Sequence, residues 1–176
     1  METANAFIEK ALLCKSMNQE IEMRTTFSEI EFKRLLSHFK ERYDLTEEVY
    51  ESHIHGHFRC QIHGDSARCM QKKIKNSKKC THMGRDWKLV HAFEVSIADT
   101  PMIGVIVCRR IHRWSLVHST WNVCLSIVHQ STKDINSVGC CSNECGVFQK
   151  FEVEIELIGT SADMTALEYL LDFICV

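Results

Sequence analysis

Hydrophobic residues recur at helical spacing in two segments of the chain. Residues 28–43 begin with Ser28, which is followed three residues later by Glu31, and this pairing is typical of a capping box at a helix start. Residues 163–174 place leucine and isoleucine side chains on one helical face after a Gly-Thr-Ser break. Both segments are therefore predicted to be helices, and residues 4–15 to form a third, shorter one.

Short segments rich in β-branched and aromatic residues fill the rest of the chain and predict strands. They are QEIEMR, HGHFRCQIHG, SARCMQKKIK, AFEVSIAD, IGVIVCRR, RWSLVH, WNVCLSIVHQ and FEVEIELIG. Their short connections indicate antiparallel pairing. The segment STKDINSVGCCSNECG, residues 131–146, is interpreted as a loop. The predicted fold class is α+β, mainly β.

The composition restricts the class of protein. The chain has 176 residues, of which 45% are hydrophobic, enough for one domain with a core over residues 1–176. Its net charge of -2 argues against binding nucleic acid through a broad basic surface. No apolar stretch is long enough to span a bilayer, and the N-terminus lacks the pattern of a signal segment. We therefore expect an intracellular protein of the nucleus or cytoplasm, without a membrane partner, whose cysteines are mostly reduced.

Glutamates alternate with apolar residues in the first and last predicted strands. Glu20 and Glu22 share one side of the first strand, and Glu152, Glu154 and Glu156 share one side of the last, about 7 Å apart along the strand. On a solvated sheet all of them would simply be exposed. If both strands instead lie inside a closed barrel, the carboxylates require cations, and their oxygens suit Mg²⁺ or Mn²⁺ better than zinc. A polyphosphate would be the matching substrate.

Basic residues in the intervening strands would supply the countercharge for such a substrate. They are Arg24, Arg59, Arg68, Lys72, Lys73, Lys75, Arg109, Arg110 and Arg113. Each one alone is typical of a solvated surface. Together, acidic residues on one wall and basic residues on another are suited to phosphoryl transfer, in which metal ions and basic side chains stabilise charge on the phosphate oxygens.

Four segments resemble the triphosphate-tunnel RNA triphosphatases, metal-dependent enzymes that begin mRNA cap synthesis in fungi, protozoa and large DNA viruses. EIEMR at 20–24 resembles their first-strand Glu-x-Glu motif, and FEVEIEL at 151–157 resembles their last-strand motif before a terminal helix. HGHFRCQIHGDSARCMQKK at 55–73 resembles the arginine-bearing strand pair of the viral members. CRRIHRWSLVHSTWNVCLSIV at 108–128 resembles their basic strand and the strand that follows it. The resemblance covers about residues 15–175.

The resemblance implies an eight-stranded antiparallel β-barrel with flanking helices that removes the γ-phosphate of 5′-triphosphate RNA, and often hydrolyses NTP as well, with Mg²⁺ or Mn²⁺. By motif position the catalytic carboxylates would be Glu20, Glu22, Glu152, Glu154 and Glu156, and the metal would bind Glu20, Glu22, Glu154 and Glu156. The phosphate contacts would be Arg24, Arg59, Lys73, Arg109 and Arg113, with the inward-facing phase of residues 109–113 left open. The guanylyltransferase of such a pathway would be a separate protein.

One predicted strand departs from the family pattern. Members usually carry Arg-x-Asp-x-Thr on the strand before the last, whereas this chain has Asn122, Cys124 and Ser126 on the polar side. Loss of a carboxylate and its neighbouring arginine would weaken or abolish catalysis while preserving the fold. Asp99 is loosely aligned with an inward acidic residue of the family.

Two alternative functions remain open. The chain could be a noncatalytic tunnel that binds RNA ends, polyphosphate or a capping partner, as the departures at Asn122 and Cys124 would permit. It could also belong with the inorganic and thiamine triphosphatases and class IV adenylyl cyclases. That group favours Glu-x-Glu-x-Lys near the N-terminus, and Arg24 in place of the lysine favours the capping group.

Clusters of histidine and cysteine suggest two further chemistries. The clusters are His53, His55, His57, Cys60 and His63, and Cys140, Cys141 and Cys145. Neither has the paired spacing of a zinc site, so chance clustering is the preferred interpretation. A cysteine phosphatase is excluded because no cysteine is separated from an arginine by the five residues that its phosphate loop requires.

Overall fold

The computed structural model describes residues 2–13, 19–98, 104–135 and 141–175, which form three helices and eight strands. The helices are α1 (Glu2–Leu13), α2 (Glu29–Arg42) and α3 (Met164–Cys175). The strands are β1 (Gln19–Phe27), β2 (Thr46–His55), β3 (Phe58–His63), β4 (Ser66–His82), β5 (Arg85–Ser96), β6 (Gly104–His118), β7 (Trp121–Ile135) and β8 (Cys141–Leu157).

The strands form a closed antiparallel barrel in the order β1-β5-β4-β3-β2-β6-β7-β8, and β8 pairs with β1 to complete the ring. Two of its hairpin turns contain Gly56 and Gly64, whose φ angles are 57° and 56°. Tight hairpin turns need this left-handed conformation, which glycine adopts without a steric penalty. The predicted fold class, mainly β with flanking helices, is confirmed.

The main hydrophobic core lies outside the barrel, between the barrel wall and the helices. Apolar residues of β1 and β8, such as Met23 and Ile155, pack there against Phe32 and Phe39 of α2 and Leu167 of α3. Side chains alternate between the two faces of a strand, so the residues between these apolar positions point into the lumen. The wall of β1 and β8 therefore has a polar face toward the lumen and an apolar face under the helices. A small buried apolar cluster of Tyr50, Ile111 and Val128 lies on the inner face of β2, β6 and β7.

The structure confirms all three predicted helices and corrects several predicted strands. IGVIVCRR and RWSLVH are one continuous strand, β6, because Arg109 and Arg113 have carboxylate partners in the lumen and cause no break. The strand β2 was not predicted, because it lacks an apolar face: Glu47 contacts His112 at 2.5 Å on the outside, and Ser52 is buried in the lumen.

The predicted loop at residues 131–146 is also corrected. β7 continues to Ile135 and β8 begins at Cys141, with Thr132 paired to Cys145. Backbone pairing can extend a hairpin without an apolar side-chain pattern, so these strand ends could not be recognised from hydrophobic alternation. Residues 136–140 and Asp99 lie outside the described residues.

One pair of cysteines is joined in a disulfide. Cys60 and Cys69 lie directly opposite each other on β3 and β4, with their sulfur atoms 2.03 Å apart. Cys80, Cys108, Cys124 and Cys175 are thiols. Among the described cysteines, this pair is therefore the exception to the expectation that the cysteines are mostly reduced.

We expect Ser28→Ala to lower the free energy of unfolding by about 1 kcal/mol, the usual value of an N-cap side chain. The Ser28 Oγ accepts a hydrogen bond from the Glu31 N–H at 3.3 Å, and the Glu31 carboxylate accepts one from the Ser28 N–H at 2.9 Å. Urea denaturation would measure the loss. Ser37→Ala is the matched control, since Ser37 is exposed in the middle of α2, and an equal loss there would contradict the capping role.

Candidate active site

One wall of the lumen is built from β1 and β8 and is lined with carboxylates. The register places Glu22 opposite Glu156 and Arg24 opposite Glu154. Glu20 lies two residues before Glu22 and shares its face. The Glu22 side chain is 4% exposed, although Arg24 contacts its carboxylate. The glutamate motifs from the two ends of the sequence therefore meet on adjacent strands of one wall.

Lys72 of β4, which is separated from β1 by β5, reaches this acidic wall. Its Nζ donates a hydrogen bond to Glu20 and lies 3.5 Å from a Glu22 oxygen and 3.4 Å from a Glu94 oxygen. Burial, and then the charge of Glu20, raise the pKa of Glu94. One ammonium group is thus shared by three carboxylates, which leaves this part of the lumen with excess negative charge.

Two arginines of β6 form ion pairs with the glutamates of β8. Arg109 lies 2.5 Å from Glu152, and Arg113 lies 2.9 Å from Glu154. The Arg113 Nε also donates a hydrogen bond to the Ser126 hydroxyl at 3.1 Å. The guanidinium groups therefore point into the lumen with fixed orientations, as recognition of phosphate oxygens requires.

Glu154 and Glu156 titrate in opposite directions although they are two residues apart. Burial alone would raise the pKa of Glu154, but the Arg113 and Arg24 guanidinium groups outweigh it and lower that pKa to about 2. Burial raises the pKa of Glu156 to about 7, and the charges of Glu20 and Glu154 add to the effect. Glu154 is therefore a fixed anion, whereas ionised Glu156 lacks sufficient positive charge nearby.

The structure shows which basic side chains of each strand point into the lumen. Arg109 and Arg113 point into the lumen, while Arg110 between them is exposed on the outer face. Arg59 lies opposite Met70 on β4, which puts it on the same face as Lys72. Lys73 does not join the site.

Lys73 is exposed and pairs with Phe93 on the outer face, because side chains alternate along β4 and its neighbour Lys72 occupies the lumen. The structure therefore places Lys72 in the lumen and not Lys73, the residue predicted to face a phosphate. Sequence reasoning also missed Glu94 as the inward glutamate. Its alternation with Phe93 and Val95 on β5 was the available signal.

Asn122 and Cys124 of β7 lie where the sequence predicted, on the lumen side. The register sets Asn122 opposite Glu156 and Cys124 opposite Glu154. Cys124 is buried, and this burial raises the pKa of its thiol to about 12. The side chain is therefore neutral and supplies no charge to the wall.

Several buried donors of the lumen have no hydrogen-bond partner in the described part of the chain. They include the Nε of Arg24, the Nε of Arg109 and the Ser52 hydroxyl. Leaving such groups unpaired costs about 1–3 kcal/mol each. Their positions beside the carboxylate wall make them candidates for contacts with water or an anionic ligand.

The chemistry of the carboxylate wall fits a hard divalent cation. Glu20, Glu22, Glu154 and Glu156 offer oxygen donors. Burial, followed by the charges of Glu20 and Glu154, raises the pKa of Glu156, so a cation beside it would favour its ionised form. Within the described ranges no cluster of three or more histidine, cysteine, aspartate or glutamate residues has metal-binding geometry. In this structure Lys72 and Arg24 form ion pairs with the carboxylates of Glu20 and Glu22. The candidate zinc cluster around His53 is likewise not assembled in those ranges, and Cys60 there is in a disulfide.

Solved structures share this barrel. The RNA triphosphatase domain of the mimivirus capping enzyme matches with a TM-score of 0.76 at 15% identity, over 100% of this chain and 97% of that one. The *S. pombe* Pct1 RNA triphosphatase matches with a TM-score of 0.64 at 10% identity, over 91% of this chain and 78% of that one. The chain has the tunnel fold of RNA triphosphatases. Pct1 bound to the Spt5 CTD also matches, with a TM-score of 0.60 at 11% identity, over 97% and 80% of the two chains.

Identities this low establish the tunnel fold alone. The sequence matches no protein-family model and no curated protein. Among the described residues, no helix is long and apolar enough to cross a membrane. The activity must therefore be argued from the residues of the tunnel.

We expect Arg113→Met to lower the free energy of unfolding by about 3 kcal/mol, because it leaves the Glu154 charge buried without its nearest partner. Glu154→Gln in the same protein should recover part of the loss, since it removes the unpaired charge. Urea denaturation of both variants would measure the effect. Arg110→Met, on the outer face, is the matched control, and an equal loss there would refute the buried pair as the cause.

Glu156 gives a pH dependence in protein freed of divalent metal by a chelator. Its folded pKa, about 7, lies above the value of 4.5 expected when unfolded, so its contribution to stability falls as pH rises through this window. Glu156→Gln should therefore be more stable than wild type by about 3 kcal/mol at pH ~8 and no different at pH ~4. Thermal denaturation would test this, with exposed Glu168→Gln as control. Equal stabilisation at both pH values would contradict it.

Proposed function

We propose that the protein is a metal-dependent polynucleotide 5′-triphosphatase that removes the γ-phosphate from 5′-triphosphate RNA, the first step of mRNA cap formation. The observation that carries the proposal is the charge arrangement of the tunnel: the carboxylates of β1 and β8 are met by Lys72, Arg109 and Arg113 from other strands. Catalysis of phosphoryl transfer needs both kinds of group within one site. An NTP carries the same triphosphate and would also be a substrate.

Mg²⁺ or Mn²⁺ would be held by Glu20, Glu22, Glu154 and Glu156, whose oxygens are the donors that these ions prefer. When bound, the metal would neutralise charge on the phosphate oxygens and lower the pKa of water. The tunnel fold shared with the mimivirus and *S. pombe* RNA triphosphatases supports this proposal at the level of fold.

The basic residues would bind the triphosphate and stabilise its reaction. Water oxygen attacks the γ-phosphorus, and the bond from that phosphorus to the β–γ bridging oxygen breaks. The bonding electrons leave on the 5′-diphosphate RNA, the attacking water loses a proton to solvent, and inorganic phosphate is released. Arg59, Lys72 and Arg113 would stabilise the charge on the phosphate oxygens, and Glu152 would position Arg109 through their ion pair.

This role has further implications for partners and location. The 5′-diphosphate RNA produced is the substrate class of a guanylyltransferase, which would be the next enzyme to act on it. The work of capping would place the protein in the nucleus or cytoplasm. Both assignments depend on the proposed activity.

A noncatalytic tunnel that binds triphosphate ends is the second candidate. It is favoured by the neutral thiol of Cys124 opposite Glu154 and by the amide of Asn122 opposite Glu156. Neither side chain can supply the negative charge that a carboxylate would give at those positions. Turnover distinguishes the two candidates.

Release of phosphate from γ-labelled triphosphate RNA should require Mg²⁺ or Mn²⁺ and stop with chelator. We expect Glu22→Gln and Glu154→Gln each to lower kcat by about 100-fold or more, because each removes a charge that acts in the transition state. Lys72→Ala should lower kcat/KM by a similar factor. Folding of every variant would be checked by circular dichroism.

Lys73→Ala is the matched control for Lys72→Ala, because the two lysines are neighbours on opposite faces of β4. The control should keep the wild-type rate. A folded wild-type protein that binds triphosphate RNA but releases no phosphate with either metal would instead establish the noncatalytic tunnel. Metal-independent release would refute the proposed use of the carboxylates.

A further inference from the structure

A row of basic residues leads across the barrel wall from solvent to the carboxylates of the tunnel. Lys79 of β4 lies directly opposite Lys88 of β5, and Lys88 lies opposite Arg24 of β1. Arg24 in turn lies opposite Glu154 of β8. All four residues share the lumen-facing register, but both lysines are exposed whereas Glu154 is largely covered. The row therefore runs from an opening of the tunnel to its interior.

Lys79 and Lys88 lie opposite each other without a carboxylate partner in the described part of the chain. Like charges placed directly opposite each other on neighbouring strands repel. Lys79 and Lys88 nevertheless form no ion pair within the described ranges, unlike Lys72 deeper in the tunnel. They line a recess of about 280 Å³ together with Arg24 and the carboxylates Asp86 and Glu152, so its three basic groups outnumber its two acidic ones. A negatively charged ligand in this recess would relieve their repulsion.

The distances along the row fit a polynucleotide whose 5′ end is in the tunnel. Neighbouring strands lie about 4.8 Å apart, so Lys88 and Lys79 are about 10 and 14 Å from Glu154 along the wall. A triphosphate beside Glu154 would fill the interior, and the next negative groups of an RNA are the phosphodiesters behind its first nucleotide. An NTP or inorganic triphosphate has no phosphate to place there.

We propose that Lys79 and Lys88 bind the phosphodiester backbone of the RNA just downstream of its 5′ nucleotide, and so give the tunnel its preference for RNA ends over free nucleotides. This inference rests on the proposed triphosphatase function. It assigns the opening beside the β4–β5 hairpin as the side from which the RNA strand leaves. Contacts to the backbone are electrostatic and independent of sequence, and they weaken with salt.

The test compares three substrates on full-length protein: a triphosphate RNA of about ten nucleotides, ATP and inorganic tripolyphosphate. Lys79→Ala/Lys88→Ala should raise KM for the RNA by about tenfold, as expected for two exposed ion pairs. The slope of log kcat/KM against log salt should become shallower by about 0.7 for each lysine removed. Values for ATP and tripolyphosphate should change by less than about twofold, since surface charges away from a substrate contribute little.

Lys75→Ala/Lys78→Ala is the matched control, because it removes the same charge from the same strand. Lys78 pairs with Leu89 on the outer face, and Lys75 lies over the outward-facing ring of Phe93. This variant should keep the wild-type KM and salt slope for RNA. If it weakens RNA hydrolysis as much as Lys79→Ala/Lys88→Ala does, the effect is one of net charge and the inference is wrong.

The remaining outcomes separate the inference from the proposed function. Unchanged RNA kinetics in Lys79→Ala/Lys88→Ala, or equal losses on all three substrates, would overturn the inference while leaving the triphosphatase intact. If the wild type hydrolyses none of them, the proposed function fails, and fluorescence anisotropy with labelled triphosphate RNA decides the inference separately. Weaker binding with a shallower salt slope in the variant would support it, and unchanged binding would overturn it.

Discussion

The confinement of like charges in the tunnel is the constraint on which the rest of the structure depends. Glu20, Glu22 and Glu94 share Lys72 as their cationic partner, while Glu154 forms its ion pair with Arg113 of β6. Charges held this far from water must be paired or must lose their ionisation. Because the charged side chains of β1 and β8 point into the lumen, the apolar sides of these strands face outward and are covered by the helices. The fold is thus organised around the charge balance of its interior.

The register of the antiparallel strands determines which charged side chains face the lumen. A shift of one residue exchanges the two faces of a strand, and β4 shows the consequence twice. Lys72 enters the acidic wall while Lys73 is exposed outside it, and Lys79 lines the recess while Lys78 faces outward. Neighbouring lysines of β4 therefore have different chemical environments, which follow from the pairing of β4 with β5.

Sequence reasoning predicted the features that are repeated along the chain and missed those that depend on pairing. The helix with its Ser28 cap and the two glutamate strands have strong local patterns, and the structure contains them. The choice of Lys73 failed because local sequence does not define which face of β4 is inward. The strand β2 was missed because both of its faces are polar, and polar strands are stabilised by partners that are distant in sequence.

The departure at Cys124 has its main effect through charge. A carboxylate at this position would face Glu154 and stand near Glu156, whose pKa already reaches about 7 because of burial and neighbouring carboxylates. The neutral thiol adds no repulsion to the wall, and it does not compete with Glu154 for the ion pair with Arg113. The same substitution removes one source of attraction for a divalent cation. Under the proposed function, the thiol of Cys124 would lower the metal affinity of the wall and favour the metal-free tunnel. The four glutamates near it, Glu20, Glu22, Glu154 and Glu156, would then supply the metal-binding charge.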